Sequence, residues 1–136
     1  MVEAGIQQLL AANAGVQAII GTRIFPVLVP ENVTYPCASY QVISDVPLYV
    51  LAGAVGLETK RIQIDTWSGG ASSATYTAVK AAQAAIRAAL EFFRGPLPDG
   101  TIVAGIFVAN AIDAYEQDAR SYRTSTDYMV TYYPAA

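Results

Sequence analysis

From Glu58 to Ser68 the chain alternates apolar and polar side chains, and two glycines and an alanine-rich run follow with no linker between them. Ile62 and Ile64 fall on one side of this segment and Arg61, Gln63 and Asp65 on the other, the period of a strand with one dry face. Gly69-Gly70 break it. From Ala71 to Arg94 the period becomes helical, with Val79, Ala82, Ile86, Leu90 and Phe93 in one stripe and Lys80, Arg87, Glu91 and Arg94 opposite. Ser72 or Ser73 is expected to cap this helix, Gly95-Pro96 to stop it, and Arg87 and Glu91 to form an i,i+4 pair. Strand, break and helix in direct succession place a sheet and a helix in one packed unit.

The flanks extend that unit. Ile6, Leu9, Leu10, Val16, Ile19 and Ile20 recur at helical spacing, and Asn13-Ala14-Gly15 interrupts them, so Asn13 is expected to cap a short second segment that Gly21 ends. Pro26, Pro30 and Pro36 then describe an extended crossing segment, because each removes a donor and forbids helix. Cys37 to Asp45 reads as the first strand. After Val46-Pro47 an apolar connection, Leu48 to Leu57, leads to the strand at Glu58. After the turn Leu97-Pro98-Asp99-Gly100, the stretch Thr101 to Ile112 is apolar on both parities, unlike a strand with one wet face. Asp113 to Ser121 reads as a polar hairpin tip and Tyr122 to Tyr133 as the last strand, its Tyr128, Val130 and Tyr132 opposed to Arg123, Ser125 and Asp127. The order helix, hairpin, helix, hairpin predicts one α+β domain over residues 1–136. It would hold a four-stranded, mainly antiparallel sheet with two helices packed on one face. The other face of the sheet then lacks a cover, and a neighbouring copy of the chain is the simplest one.

Composition narrows the function. Charged residues are 14% of the chain, against roughly 25% in ordinary soluble domains, so extra apolar surface is expected to be hidden by self-association. Net charge is −3 and the eight basic residues are scattered, which argues against sequence-independent nucleic-acid binding. There is no histidine, which removes the commonest general base, the Ser-His and Cys-His pairs and most transition-metal sites. Cys37 is the single cysteine and is read as a small packed residue. Asp45, Asp65, Asp99, Asp113 and Asp127 share no motif. No catalytic residue, cofactor or metal is expected, and the chain is read as a non-enzyme. The first residues lack the basic flank of a signal peptide, and the uncharged stretches Val46 to Leu57 and Gly100 to Ile112 are shorter than the roughly 20 residues a membrane helix needs.

Four segments in order carry a resemblance. Arg23-Ile24-Phe25-Pro26, Tyr35-Pro36 leading into a strand, Arg61-Ile62-Gln63-Ile64-Asp65-Thr66-Trp67-Ser68 before a helix, and Tyr122-Arg123-Thr124-Ser125-Thr126-Asp127-Tyr128 together resemble the tail-completion proteins of long-tailed bacteriophages, also called tail terminators or tail-to-head joining proteins. The resemblance implies a structural virion protein at the tail-neck junction, assembled in the host cytoplasm. Such a protein forms a ring of six that caps the tail tube, ends its growth and offers a docking surface to the head. Its partners would be further copies of itself, the tail-tube protein and a head-connector or neck protein, and DNA would pass through without specific binding. Two other classes compete: another neck or tube component, such as a head-closure or tube subunit, and a small ligand-binding domain or enzyme of ferredoxin-like layout.

Two surfaces are singled out as interfaces. In the apolar connection, Gly53 and Gly56 keep the backbone flexible, while Leu48, Tyr49, Val50, Leu51, Val55 and Leu57 supply a protein-binding patch. At the polar tip, Glu116, Asp118 and Arg120 have little to bury and are expected to be mobile in the free subunit and to order on contact.

Overall fold

The structure, a computed structural model, describes residues 1–134, with the backbone alone at residues 54 and 55. Helix α1 spans Val2–Ala12 and α2 Ala14–Ile20. They are separate because Asn13 adopts an extended conformation and its side chain accepts the Val16 amide at 3.1 Å, closing the first turn of α2. Strands β1 (Ile24–Pro26), β2 (Cys37–Val50) and β3 (Gly53–Trp67) follow, then α3 (Ser73–Leu90), β4 (Gly95–Pro96), β5 (Ile102–Glu116) and β6 (Ser121–Tyr133). Among the described residues these strands form one sheet in the order β1-β2-β3-β6-β5-β4, parallel between β1 and β2 and antiparallel elsewhere, curled into a half-barrel.

This overturns the expected four-stranded sheet with two helices. The sheet has six strands and is mixed, and three helices pack on it. The two additional strands are three and two residues long and each contains a proline, so neither shows a period. Proline is tolerated there because both lie at the edges, where a missing donor costs no ladder bond. Pairing makes them strands: Ala38 donates to the Arg23 carbonyl and Val27 to that of Tyr40 on one side, and Leu97 donates to Thr101 on the other.

Helix α3 starts as expected, with Ser72 accepting the Thr75 amide at 3.2 Å, but it ends at Leu90 rather than Arg94. Phe92 takes a positive φ of 66° and donates its amide to the Ile106 carbonyl at 2.8 Å, so the sheet edge captures the backbone before the helical period runs out. The Arg87–Glu91 pair forms across that last turn at 3.1 Å. At the strand-to-helix break, Gly69 has φ 68° and a side chain there would overlap the Tyr35 ring, so glycine is required on two counts.

One apolar layer joins helices and sheet. Val2, Ile6 and Leu10 of α1, Val16 and Ile20 of α2, and Ala82, Ile86 and Leu90 of α3 pack on Ala38, Ile62, Ile64, Val103, Ile106, Tyr128, Val130 and Tyr132. The helices therefore share one face of the sheet. Lys60 lies at the margin of this layer, 2.9 Å from Glu3 and over the Tyr132 ring, tying α1 to β3. Cys37 is buried, and burial pushes its thiol pKa up to about 11, away from reactivity.

The Tyr128 hydroxyl sits in this layer with no hydrogen-bond partner among the described residues. An unmet buried hydroxyl costs free energy, so Tyr128→Phe is expected to raise stability by about 1 kcal/mol in a denaturant titration. A loss of similar size would show instead that the hydroxyl is satisfied.

Candidate assembly surfaces

The alternation of β3 and β6 leaves a polar network on the helix-free face. Arg61 donates two hydrogen bonds to Asp127, at 2.9 and 2.7 Å, across the β3–β6 pair. Asp65 accepts from Gln63 at 2.9 Å, from Ser125, and from Arg123 at 3.3 Å, while the Arg123 guanidinium also stacks over Trp67. Arg123 Nε lies 2.9 Å from Glu116, an ion pair without hydrogen-bond alignment. These side chains lie flat and cover one another, which is why Asp65 is buried on a face that carries no helix. Such a network pins the register of β3 against β6, because a slip of one residue would strand each of these charges.

Beside it the same face turns apolar. On β5, Ile102 pairs with Tyr133, Phe107 with Met129 and Ile112 with Ser125, which places all three on the helix-free side. Ile102, Phe107, Ile112 and Tyr133 are exposed, and Phe92 meets Phe107 edge to face at 6.0 Å. The two apolar parities of β5 are thereby explained: one packs under the helices, the other is bare. Its signal was in the sequence, but the particular residues depended on two bulges, between Val103 and Gly105 and between Val108 and Asn110, that shift the parity.

The apolar connection predicted between the first two strands is no loop. Strands β2 and β3 run through it, with Pro47 opposite Glu58, Tyr49 opposite Ala54 and Val50 opposite Gly53. Since β6 pairs β3 only from Glu58 to Trp67, the ribbon beyond Glu58 is two-stranded and extends past the sheet. Leu48, Tyr49, Val50 and Leu51 are exposed on it and Leu57 is half-buried. The side chain of Val55 lies outside the described residues. At the polar tip, Glu116 ends β5 and is held by Arg123, Asp118 and Arg120 are exposed in the turn, and Arg120 has φ 48°. Asp113, read as part of the tip, belongs to β5 and accepts from Tyr76 at 2.7 Å and Lys80 at 3.0 Å on α3.

The two predicted patches do not meet. Glu58 of β3 pairs with Tyr132 and Trp67 with Arg123, so the β2–β3 tip projects from one end of the sheet and the β5–β6 tip from the other.

Between α3 and β5 lies an open cleft of about 400 Å³ lined by Lys80, Gln83, Ala84, Arg87, Ala111, Asp113 and Thr126. Its polar groups are already engaged: Lys80 with Asp113, Arg87 with Glu91, Gln83 with Thr126 at 2.9 Å. No cluster of residues suited to a metal ion occurs among the described residues. Also among these, no helix is long and apolar enough to cross a membrane.

Much of the subunit's exposed apolar surface lies on strands β2 and β5 and on the β2–β3 tip, as in structural assembly proteins. Among solved structures, a chain of the virion of a native gene transfer agent (GTA) particle shares the fold with a TM-score of 0.73, at 21% identity over 98% of this chain and 95% of that one. A search of curated protein sequences returned no match. The family model described as "Tail completion protein gp17" matches residues 4–133, nearly the whole chain, and the protein belongs to that family. It is thus a structural protein of the phage-tail virion, as the four sequence segments suggested.

Proposed function

We propose that this protein is the tail terminator: a ring of identical subunits, six by resemblance, that caps the finished tail tube, ends its growth and presents the surface on which the head docks. The observation that carries this reading is the pair of hairpin tips at opposite ends of one sheet, which equips a single subunit to touch one component below and another above. Its direct partners are further copies of itself, the tail-tube protein and a head-connector or neck protein.

Charge supports passage of DNA without capture. Five of the eight basic side chains, Lys60, Arg61, Lys80, Arg87 and Arg123, are held by carboxylates, and Arg23 is turned onto the carbonyls of Ile19 and Pro36. A surface so neutralised offers phosphate little to bind.

Electron microscopy of particles assembled without this protein tests the reading. Headless tails of uncontrolled length are expected. Tails of normal length beside heads that lose their DNA would point to a head-closure protein instead. A second test concerns the β5–β6 tip. Residues 117–120 lie between the strands, and their amides are expected to exchange rapidly in the free subunit and slowly in assembled tails. Equal protection in both states would mean that the tip is only a hairpin end.

A further inference from the structure

The sheet leaves two long edges open. Strand β4 pairs β5 at Ile102 and Val103, and Phe92 reaches Ile106. From Phe107 to Glu116, β5 has only β6 beside it among the described residues. At the other edge β1 covers Ala38 to Tyr40, and from Gln41 onward β2 has only β3 beside it among the described residues.

We propose that the free edge of β5 pairs, antiparallel, with the free edge of β2 in a second copy, so that the sheet continues from subunit to subunit. The proposal rests on the ring reading above and specifies its joint.

Strand direction is the first argument. Strands β2, β3, β6 and β5 alternate, so β2 and β5 run in opposite senses within one chain. Rotation about a ring axis that runs along the strands keeps those senses, and it would bring β5 of one copy antiparallel to β2 of the next with the helices on the same side. That joint uses each edge once, as a head-to-tail contact that closes into a ring must.

The hydrogen-bonding groups are the second. Ala38 donates outward to β1, so by alternation Tyr40 and Val42 also point outward. The Ile106 carbonyl accepts outward from Phe92, and after the bulge at Val108/Asn110 the outward residues of β5 become Ala111, Asp113 and Tyr115. A row of unmatched donors and acceptors therefore stands on each edge.

Edge protection is the third. Open strands are usually blunted by proline or lysine. The β5 edge carries neither over Phe107–Glu116, and its two charges are engaged inside the subunit, Asp113 with Lys80 and Glu116 with Arg123. On β2 the first proline is Pro47; the bulge between Val42 and Ser44 shifts the alternation by one, so its missing donor faces outward, opposite Glu58. Pairing is thereby limited to Gln41–Val46, and the apolar tip beyond stays free to reach another component.

Hydrogen exchange on the full chain, free and assembled on tail tubes, tests the joint. The outward amides within 41–46 and 107–116, Ala111, Asp113 and Tyr115 among them, are expected to slow at least tenfold on assembly. The variant Ala111→Pro removes an outward donor that the monomer does not use. It should keep the parent's melting temperature within about 2 °C while losing ring formation in sedimentation. Should that variant fail to fold, exchange on the parent protein decides alone. Rings whose two edges exchange as fast as in the monomer would overturn the strand joint and leave the ring reading standing. Protection of 107–116 alone, or a species of two copies, would overturn it in favour of a two-fold contact. A parent that stays single in the presence of tubes would remove the ring reading and this joint together.

Discussion

Ile106→Ala is expected to lower the unfolding free energy by about 3 kcal/mol, within the usual ~2–5 kcal/mol for truncating a buried isoleucine to alanine. Ile106 has no exposed surface, pairs with Val130 and lies in the layer beneath the helices. A domain of this size has about 5–15 kcal/mol in total, so the melting temperature should fall by roughly 10 °C. Its neighbour provides the control. Phe107 points to the helix-free face and is 55% exposed, so Phe107→Ala should cost the isolated subunit less than about 1 kcal/mol. Differential scanning calorimetry of the two variants checks both. Equal losses would mean that the bare face of β5 is covered within the subunit, contrary to the structure.

The second large effect is on assembly rather than on folding. Leu48→Asp combined with Leu51→Asp places two carboxylates on the projecting β2–β3 ribbon, where both leucines are exposed and where the ribbon has left the sheet. Surface substitutions of this kind change stability by about 0.5 kcal/mol or less each, so the subunit should fold and melt like the parent. Burying either carboxylate in an interface would cost several kcal/mol, enough to reduce association by a factor of about a hundred or more. Sedimentation and binding to tail tubes read the outcome. If the double variant unfolds, the ribbon belongs to the subunit core. If it folds and still assembles, the ribbon is no interface.

These two experiments separate surfaces that look alike along the chain. Leu48, Leu51, Ile106 and Phe107 all sit in apolar stretches without charge, and nothing in composition distinguishes the buried one from the exposed three. The exposure of one apolar segment is nevertheless legible. Leu48, Tyr49, Val50 and Leu51 were singled out because apolar side chains occurred where polar ones are usual, and the structure leaves them exposed. The segment is not the flexible connection expected but paired strand on either side of a turn at residues 51–52. The polar network of Arg61, Asp65, Arg123 and Asp127 could not be read at all: its partners are about sixty residues apart and meet only through the β3–β6 register.

What the sequence determined by itself is local. The strand-glycine-helix unit, the caps at Asn13 and Ser72 and the inward faces of β3 and β6 all follow from side chains within a few positions of one another, where period and capping act. The tertiary structure decided the rest. A two-residue strand such as β4 has no period, and becomes a strand only because β5 offers it a partner. Whether Leu48 to Leu57 is a loop or a ribbon depends on cross-strand bonds that any sequence of backbone amides can make. Which of the two apolar sides of β5 is bare depends on where the helices land and on bulges that reset the alternation. Backbone hydrogen bonding is indifferent to side-chain identity, so sheet edges and strand ends are settled by what lies alongside, and that is known only once the chain has folded.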